Sequence, residues 1–378
     1  MKTPVKLKQI ALSGYKSYGT EVQVDLRNVN VIIGANGAGK SNFISFLEMI
    51  AYIASDGFGD FVGKNGFADG LCHFGATEDS MISGSLQLET GERTDEYSFE
   101  IIPTVSGGMF FSRERICYFD GHSDKKYVNE FKNSGQTSAL IQLGQSGKNT
   151  TVKSILHLLR GLRVFHFNDT TMQAGIRKPG YLYDNVYLRS NAGNIAAFLY
   201  QMKERTDLNA YYHRIVSMVQ LVFPRFDDFV LRPMERENMD ATILLNWKEK
   251  GSDQVFGPFA LSDGTLRFIA LATLLLQPEE TLPDVIILDE PEIGLHPQAI
   301  HLLQNIIYQV SSRAQVIIAT QSPLFLDGMN TEDVLVADYD NQRKSSIIKR
   351  LDEQALAKWL EEYSLGELWE KNVLGGTP

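Results

Sequence analysis

The chain has 378 residues, 43% hydrophobic and 22% charged, enough apolar material for one large domain or for two lobes sharing a site. A formal net charge of −10 excludes non-specific polyanion binding by the molecule as a whole, so any nucleic-acid contact needs a local basic patch. The two cysteines, Cys72 and Cys117, exclude a disulfide framework and stand at no metal-ligand spacing, so they read as packed thiols.

Met1 to Gly14 lacks the apolar stretch and cleavage site of a signal peptide. The longest strongly apolar run, Phe268 to Leu276, is too short to cross a bilayer, and a cytoplasmic protein with no membrane partner is expected. Strand patterning begins at Leu7–Leu12 and continues at Val22–Leu26 and Val29–Ile33, the last almost wholly apolar, as a strand buried on both faces should be. A glycine-rich turn follows, then a helix with Phe43, Phe46, Leu47 and Ile50 on one face. Asp56 to Gly70, rich in glycine and aspartate, reads as an excursion. Residues 80–150 read as an antiparallel β portion with strands at Met81–Leu88, Tyr97–Ile102 and Ile116–Phe119, ending in a flexible Gly144–Thr151 stretch.

Helical periodicity then marks Val152–Leu162, Asn194–Arg205 and Asn209–Val222, and Thr242–Trp247 returns to strand. The last third alternates: helix Ser262–Leu276, strand Val285–Leu288, helix Pro297–Ser311, strands Gln315–Ala319 and Val334–Ala337. That order implies an α/β fold with a parallel sheet and right-handed crossovers. No heptad run is long enough for a coiled coil, and no internal repeat is visible.

Three motifs carry the chemistry. Gly34-Ala35-Asn36-Gly37-Ala38-Gly39-Lys40-Ser41 fits G-x-x-x-x-G-K-[S/T] between a strand and a helix. Glycines let backbone N–H groups wrap a phosphate, the helix start adds a favourable dipole, Lys40 reaches the β- and γ-phosphates, and the Ser41 hydroxyl can ligate Mg2+. Val285-Ile286-Ile287-Leu288-Asp289-Glu290 delivers two acids at a buried strand's C-terminal end: Asp289 suits a magnesium contact, Glu290 the activation of water. Leu261-Ser262-Asp263-Gly264-Thr265 opens a helix upstream of the acids, and a serine cap with glycine two residues later offers a hydroxyl and bare N–H groups to an anion.

In this order the motifs resemble those of the ABC ATPases, with Leu261-Ser262-Asp263-Gly264 in the place of the signature. The segments Ser13–Tyr18 and Pro291–Pro297 resemble the RecF, SMC and OLD branch. Residues Leu162–Thr170 and Tyr363–Trp369 resemble stand-alone ATPases of that kind, so the likeness spans nearly the whole chain. The resemblance implies an ABC-type head with a mixed or parallel nucleotide lobe, an antiparallel β portion and a helical lobe. Residues 1–55 and 240–378 would form the core, with 56–239 as inserted β and helical material.

The implied ligands are ATP and Mg2+, with nucleotide contacts from Gly34, Asn36, Gly37, Ala38, Gly39, Lys40, Ser41 and Asn42. Ser41 and Asp289 would serve the metal, and Glu290, Lys40 and Gln321 the chemistry. Ser262 and Gly264 would complete the site of a second copy, in a head-to-tail homodimer around two nucleotides. Gln321 stands where many relatives have a histidine, and its amide donates a hydrogen bond but carries no proton, which implies slow hydrolysis. Lys16 reads either as a nucleotide or DNA contact or as a solvated lysine. His296 precedes a proline suited to a first helical turn and reads as structural. A lobe-linking glutamine is expected, with Gln142 and Gln145 as candidates. His166 and Asp169 are too few for a metal site.

The implied role is an ATP-operated switch in DNA repair or antiphage defence, with a nuclease or other effector protein as partner. DNA is a further candidate through Lys153, Arg160, Arg163, Arg177 and Lys178, five basic residues against Asp169. Two alternatives are the ATPase subunit of a membrane transporter and an ATPase with its own nuclease activity. The long insertion between Ser41 and Leu261 speaks against the first. The 41 residues after Ala337, with Asp338, Asp340 and Asp352, are too few for the nuclease domain of the second.

Overall fold

The computed structural model describes residues 5–91, 93–119, 126–146, 150–236 and 239–376. β1 (Val5–Ser13) and β2 (Val22–Asp25) form an antiparallel pair, and β3 (Val29–Ile33) leaves them for a second sheet. α1 (Lys40–Ala54) buries Phe43, Phe46, Leu47 and Ile50, the face its spacing predicts. The Asp56–Gly70 stretch is not a loop excursion. It forms α2 (Phe58–Lys64) and α3 (Phe67–Leu71), which bury Phe58, Phe61, Val62, Ala68 and Leu71, so apolar anchoring outweighs poor helix propensity.

β4 (Ile82–Thr90), β5 (Arg93–Pro103), β6 (Met109–Phe119) and β7 (Lys126–Gly135) extend the first pair into an antiparallel sheet ordered β2-β1-β4-β5-β6-β7. β7 is a largely exposed edge of polar sequence, which is why its pattern gave no strand signal. α4 (Ala139–Ser146) and α5 (Thr150–Arg160) follow. Of the stretch expected to be flexible, residues 147–149 lie outside the described residues, and the others end α4 or begin α5.

β8 (Leu162–Phe165) is the edge strand of the second sheet, pairing in parallel with a strand more than a hundred residues later. β8, from within the expected insert of 56–239, thus pairs in the sheet of β3, β15 and β16, while β1 and β2 pair in the antiparallel sheet. Four residues are too short a run to betray that pairing in sequence. Next come β9 (Gly180–Tyr181), α6 (Ile195–Glu204), α7 (Asn209–Val222), β10 (Phe226–Phe229), β11 (Met234–Arg236), β12 (Met239–Ile243), β13 (Trp247–Glu249) and β14 (Val255–Phe256). Their strands make two three-stranded sheets, β10-β13-β14 and β11-β12-β9.

The chain continues through α8 (Asp263–Leu276), β15 (Val285–Asp289), α9 (Pro297–Val310), β16 (Gln315–Thr320), α10 (Pro323–Asp327), β17 (Val334–Asp340), β18 (Ser345–Arg350), α11 (Glu353–Leu360) and α12 (Leu365–Glu370). The central sheet is ordered β18-β17-β3-β16-β15-β8, parallel throughout except for β18, which returns antiparallel to β17. Alternate residues of its strands feed two cores. Val31, Ile33, Ile286, Leu288, Val316 and Ile318 face α6 to α9. Ile32, Val285, Ile287, Ile317 and Ala319 face α1, α5 and the antiparallel sheet. Both faces are covered, so these strands must be apolar at nearly every position. One exception, Asn30, is fully buried and satisfied: it accepts from Arg27 N (2.9 Å) and Arg350 Nη2 (3.0 Å) and donates to Arg27 O (2.7 Å).

Among the described residues the longest helix is α1, with 15 residues, and no helix is long and apolar enough to cross a membrane.

Candidate functional site

β3, β16 and β15 lie side by side and parallel, so their C-terminal ends open on one edge of the central sheet. Register pairs Ile33 with Thr320 and Ala319 with Asp289, which brings the residues that follow each strand to the same rim. There an open polar pocket of about 220 Å³ is lined by Ala35, Asn36, Gly37, Gly39, Lys40, Ser41, Asn42, Asp289, Glu290 and Gln321. Three separate stretches of sequence thus converge. Of the expected set, Gly34 and Ala38 do not line the pocket: Ala38 is packed in the core, and the Gly34 carbonyl accepts from Lys40 Nζ (2.6 Å).

The loop's shape depends on glycine. Gly37 and Gly39 have φ of 84° and 113°, and a β-carbon on Gly39 would stand 2.6 Å from Ser346 Oγ. Around Gly37 the space is open, a cradle for an anion against backbone amides. The segment after β1 braces the loop from behind: Tyr18 Oη donates to Gly39 O (3.1 Å) and Asn42 Nδ2 to Ser17 Oγ (2.8 Å). Lys16 is half-buried. Its ammonium donates to Ser45 Oγ (2.7 Å) and Asn65 Oδ1 (3.4 Å), so it ties α1 to the turn after α2.

Lys40 Nζ is held at the mouth of the loop by Gly34 O and Ala35 O (3.0 Å). Burial lowers its pKa, opposed by the charges of Glu290, Asp289 and Glu292. Burial raises the pKa of Asp289 and Glu290 adds to the rise, while His166 and Lys40 oppose it. The donor set of one hydroxyl and one crowded carboxylate suits a hard divalent cation, which would relieve that crowding.

Glu290 sits at φ 47°, a left-handed conformation unusual for a non-glycine residue, and its N–H donates to Ala319 O (2.8 Å). Gln321 Nε2 donates to Glu290 Oε1 (2.5 Å), so the glutamine orients the acid directly. Behind them Glu292, 7% exposed, accepts from the Thr320 hydroxyl, and burial raises its pKa.

Ser262 caps α8 by accepting from Thr265 N (3.2 Å) and is itself exposed. Neither it nor Gly264 lines this pocket of its own chain. Residues that the sequence reading left out join the acids here. Asn168, just after β8, donates from Nδ2 to Asp289 O (3.4 Å). Arg267 on α8 donates to Phe167 O (3.3 Å), Asn168 O (2.7 Å) and Ile293 O (2.5 Å), tying together α8, the strap after β8 and the turn after Glu290. The one available signal was a short apolar run, Leu162–Phe165, ending in polar residues.

Other expectations fare unevenly. His296 caps α9, accepting weakly from Gln298 N (3.4 Å) ahead of Pro297, which is the structural role expected. Gln142 and Gln145 lie on α4 and do not line the pocket, so neither is placed as a lobe-linking residue. Of the basic stretch, Arg177 is 4% exposed and bonded within the fold, while Lys153, Arg160, Arg163 and Lys178 are exposed, with Arg160 donating to Ala54 O (2.8 Å) and Arg163 stacked over Tyr187. Asp338, Asp340 and Asp352 accept from nearby backbone N–H groups in local turns and a helix cap.

The sequence profile of one protein family, described as "AAA domain, putative AbiEii toxin, Type IV TA system", matches residues 29–327. Among curated proteins none matches the sequence. Among solved structures, a crystal structure of the SmcHead bound to the C-winged helix domain of ScpA is similar over 93% of this chain and 99% of that one, with a TM-score of 0.52 and 15% identity. A crystal structure of the Smc head domain with an extended coiled coil, bound to the C-terminal domain of ScpA derived from Pyrococcus furiosus, is similar over 95% and 99%, with a TM-score of 0.56 and 12% identity. At these identities the likeness is one of fold: the chain has the fold of an SMC head.

Proposed function

The chain belongs to this family of AAA domains, and on that premise we propose that it binds and slowly hydrolyses Mg-ATP as a head-to-tail homodimer. The observation that carries the reading is the convergence of Lys40, Ser41, Asp289, Glu290 and Gln321 on one polar pocket, with Ser262 exposed elsewhere on the same chain. Asn36, Gly37, Gly39 and Asn42 line the phosphate path, and Gly34 and Ala38 shape the loop behind it. Lys40 compensates phosphate charge, while Ser41 and Asp289 hold the cation. Glu290, oriented by Gln321, polarises the attacking water. Gln321 cannot carry a proton, which supports slow turnover.

A pocket closed on one side only by its own chain leaves the outer side of the phosphates for Ser262 and Gly264 of a second copy. ATP would then hold the dimer and hydrolysis would release it, the logic of a switch. The family's description as a putative toxin of a type IV toxin–antitoxin system supports a role in antiphage defence over transport. Both SMC heads are described with a ScpA domain bound, which supports a head that carries a protein partner. By the sequence resemblance that partner is an effector such as a nuclease, in defence or in DNA repair.

The test is the mass of the Glu290→Gln protein by light scattering with and without Mg-ATP. Doubling on ATP is expected, because hydrolysis is blocked while binding is retained. A constant monomer mass, with ATP shown to bind, would overturn the two-site reading.

A further inference from the structure

Asp263 poses a problem for the reading just given. It occupies the first turn of α8, where bare N–H groups would meet an anion, and a carboxylate there opposes any phosphate. The structure pairs it with a buried cation. Arg177 Nη2 donates to Asp263 Oδ1 (2.7 Å), with the arginine side chain 5% exposed and the aspartate 64% exposed. The Arg177 bond, and after it one from the Thr170 hydroxyl, holds the Asp263 carboxyl below the usual carboxylate range.

The same guanidinium spends its other donors on backbone. Nε donates to Thr170 O (2.7 Å), Nη1 to Pro258 O (2.5 Å), and both Nη atoms reach Leu261 O (3.4 Å). Arg177 therefore fixes the turn from Pro258 to Leu261 that launches α8, and it also takes up the acid that follows. Burying an arginine costs free energy, and the return on such burial is a fixed geometry. Arg177 itself ends a strap that starts at β8 beside Asp289 and is pinned by Arg267.

We propose that Arg177 is a positioning residue for the signature segment: it draws the Asp263 carboxylate back and neutralises it, leaving Ser262 and the first amides of α8 open to the nucleotide phosphates held by a second copy. This rests on the dimeric reading above. Arg177 touches no nucleotide, and its effect falls on closure rather than on ATP binding by one chain.

The experiment uses the Glu290→Gln protein as background, so that failure of that parent to dimerise in Mg-ATP counts against the dimer itself and not against Arg177. Adding Arg177→Met should raise the Mg-ATP concentration needed for dimerisation tenfold or more in light scattering. ATP affinity of the single chain by calorimetry should stay within about twofold. Adding Asp263→Asn to that variant should recover much of the loss, since the unpaired carboxylate is gone; a merely structural arginine would show no such rescue. Dimerisation unchanged by Arg177→Met, or a loss that Asp263→Asn does not relieve, would overturn the proposal. Should Arg177→Met not fold, Arg177→Lys takes its place: unchanged dimerisation or a loss relieved by Asp263→Asn supports the proposal, and an unrelieved tenfold loss overturns it.

Discussion

Gly264 lies directly against Gly294: a β-carbon built on Gly264 would stand 2.2 Å from the Gly294 carbonyl oxygen. The start of α8 and the turn that follows Glu290 are thus in backbone contact, and Gly294, at φ 75°, needs its own lack of a side chain to make that turn. The glycine two residues after Ser262 is thus required by packing inside the chain.

Gly264→Ala should therefore disturb the site by pushing backbone against backbone. We expect destabilisation of about 1–3 kcal/mol, the usual cost of overpacking, with turnover falling further than ATP affinity. Urea titration alongside steady-state hydrolysis checks both. Unchanged stability would mean that the two segments separate freely.

Lys40→Ala removes the ammonium held at the mouth of the pocket. Loss of a charge-assisted contact to phosphate is expected to weaken ATP binding by about 10- to 100-fold, equivalent to about 1.4–2.8 kcal/mol. Isothermal calorimetry gives the number directly, and an unaltered affinity would mean that nucleotide binds elsewhere.

Gln321→Ala deletes the donor that orients Glu290. Turnover should drop by about tenfold or more, as for loss of one hydrogen bond to a charged group, while the ATP concentration for half-saturation changes little. An equal change in both parameters would assign Gln321 to binding instead.

Asp95 on β5 is 5% exposed between Leu88 and Tyr118 of the neighbouring strands, and burial pushes its carboxyl up to about 6. The unfolded value is about 3.9, so between those two pH values the folded chain binds the extra proton and stability falls as pH rises. Asp95→Asn should abolish that fall and be the more stable protein above pH 6. Denaturant midpoints from pH 4 to 7 for both proteins decide it.

Much of the pocket's lining was legible in the chain alone. The glycine-rich loop announces itself because its glycines and Lys40 stand at neighbouring positions, and Asp289 and Glu290 because a fully buried strand must be apolar up to the residue where it meets solvent. The alternation of strands and helices after Ser262 was equally plain, since each element is long enough to show its period.

What the tertiary structure alone decided is of another kind. β8 is four residues long, and its place at the sheet edge depends on pairing with Val285–Leu288 far along the chain. The roles of Arg177, Arg267 and Asn168 rest chiefly on bonds to backbone atoms 81, 99 and 121 residues away, with no local pattern to mark them. In sequence Arg177 counted as one of five basic residues that could meet DNA. Packing buried it and gave it Asp263, because a guanidinium's partners are set by where the folded backbone leaves its carbonyls and carboxylates, and sequence spacing does not encode that.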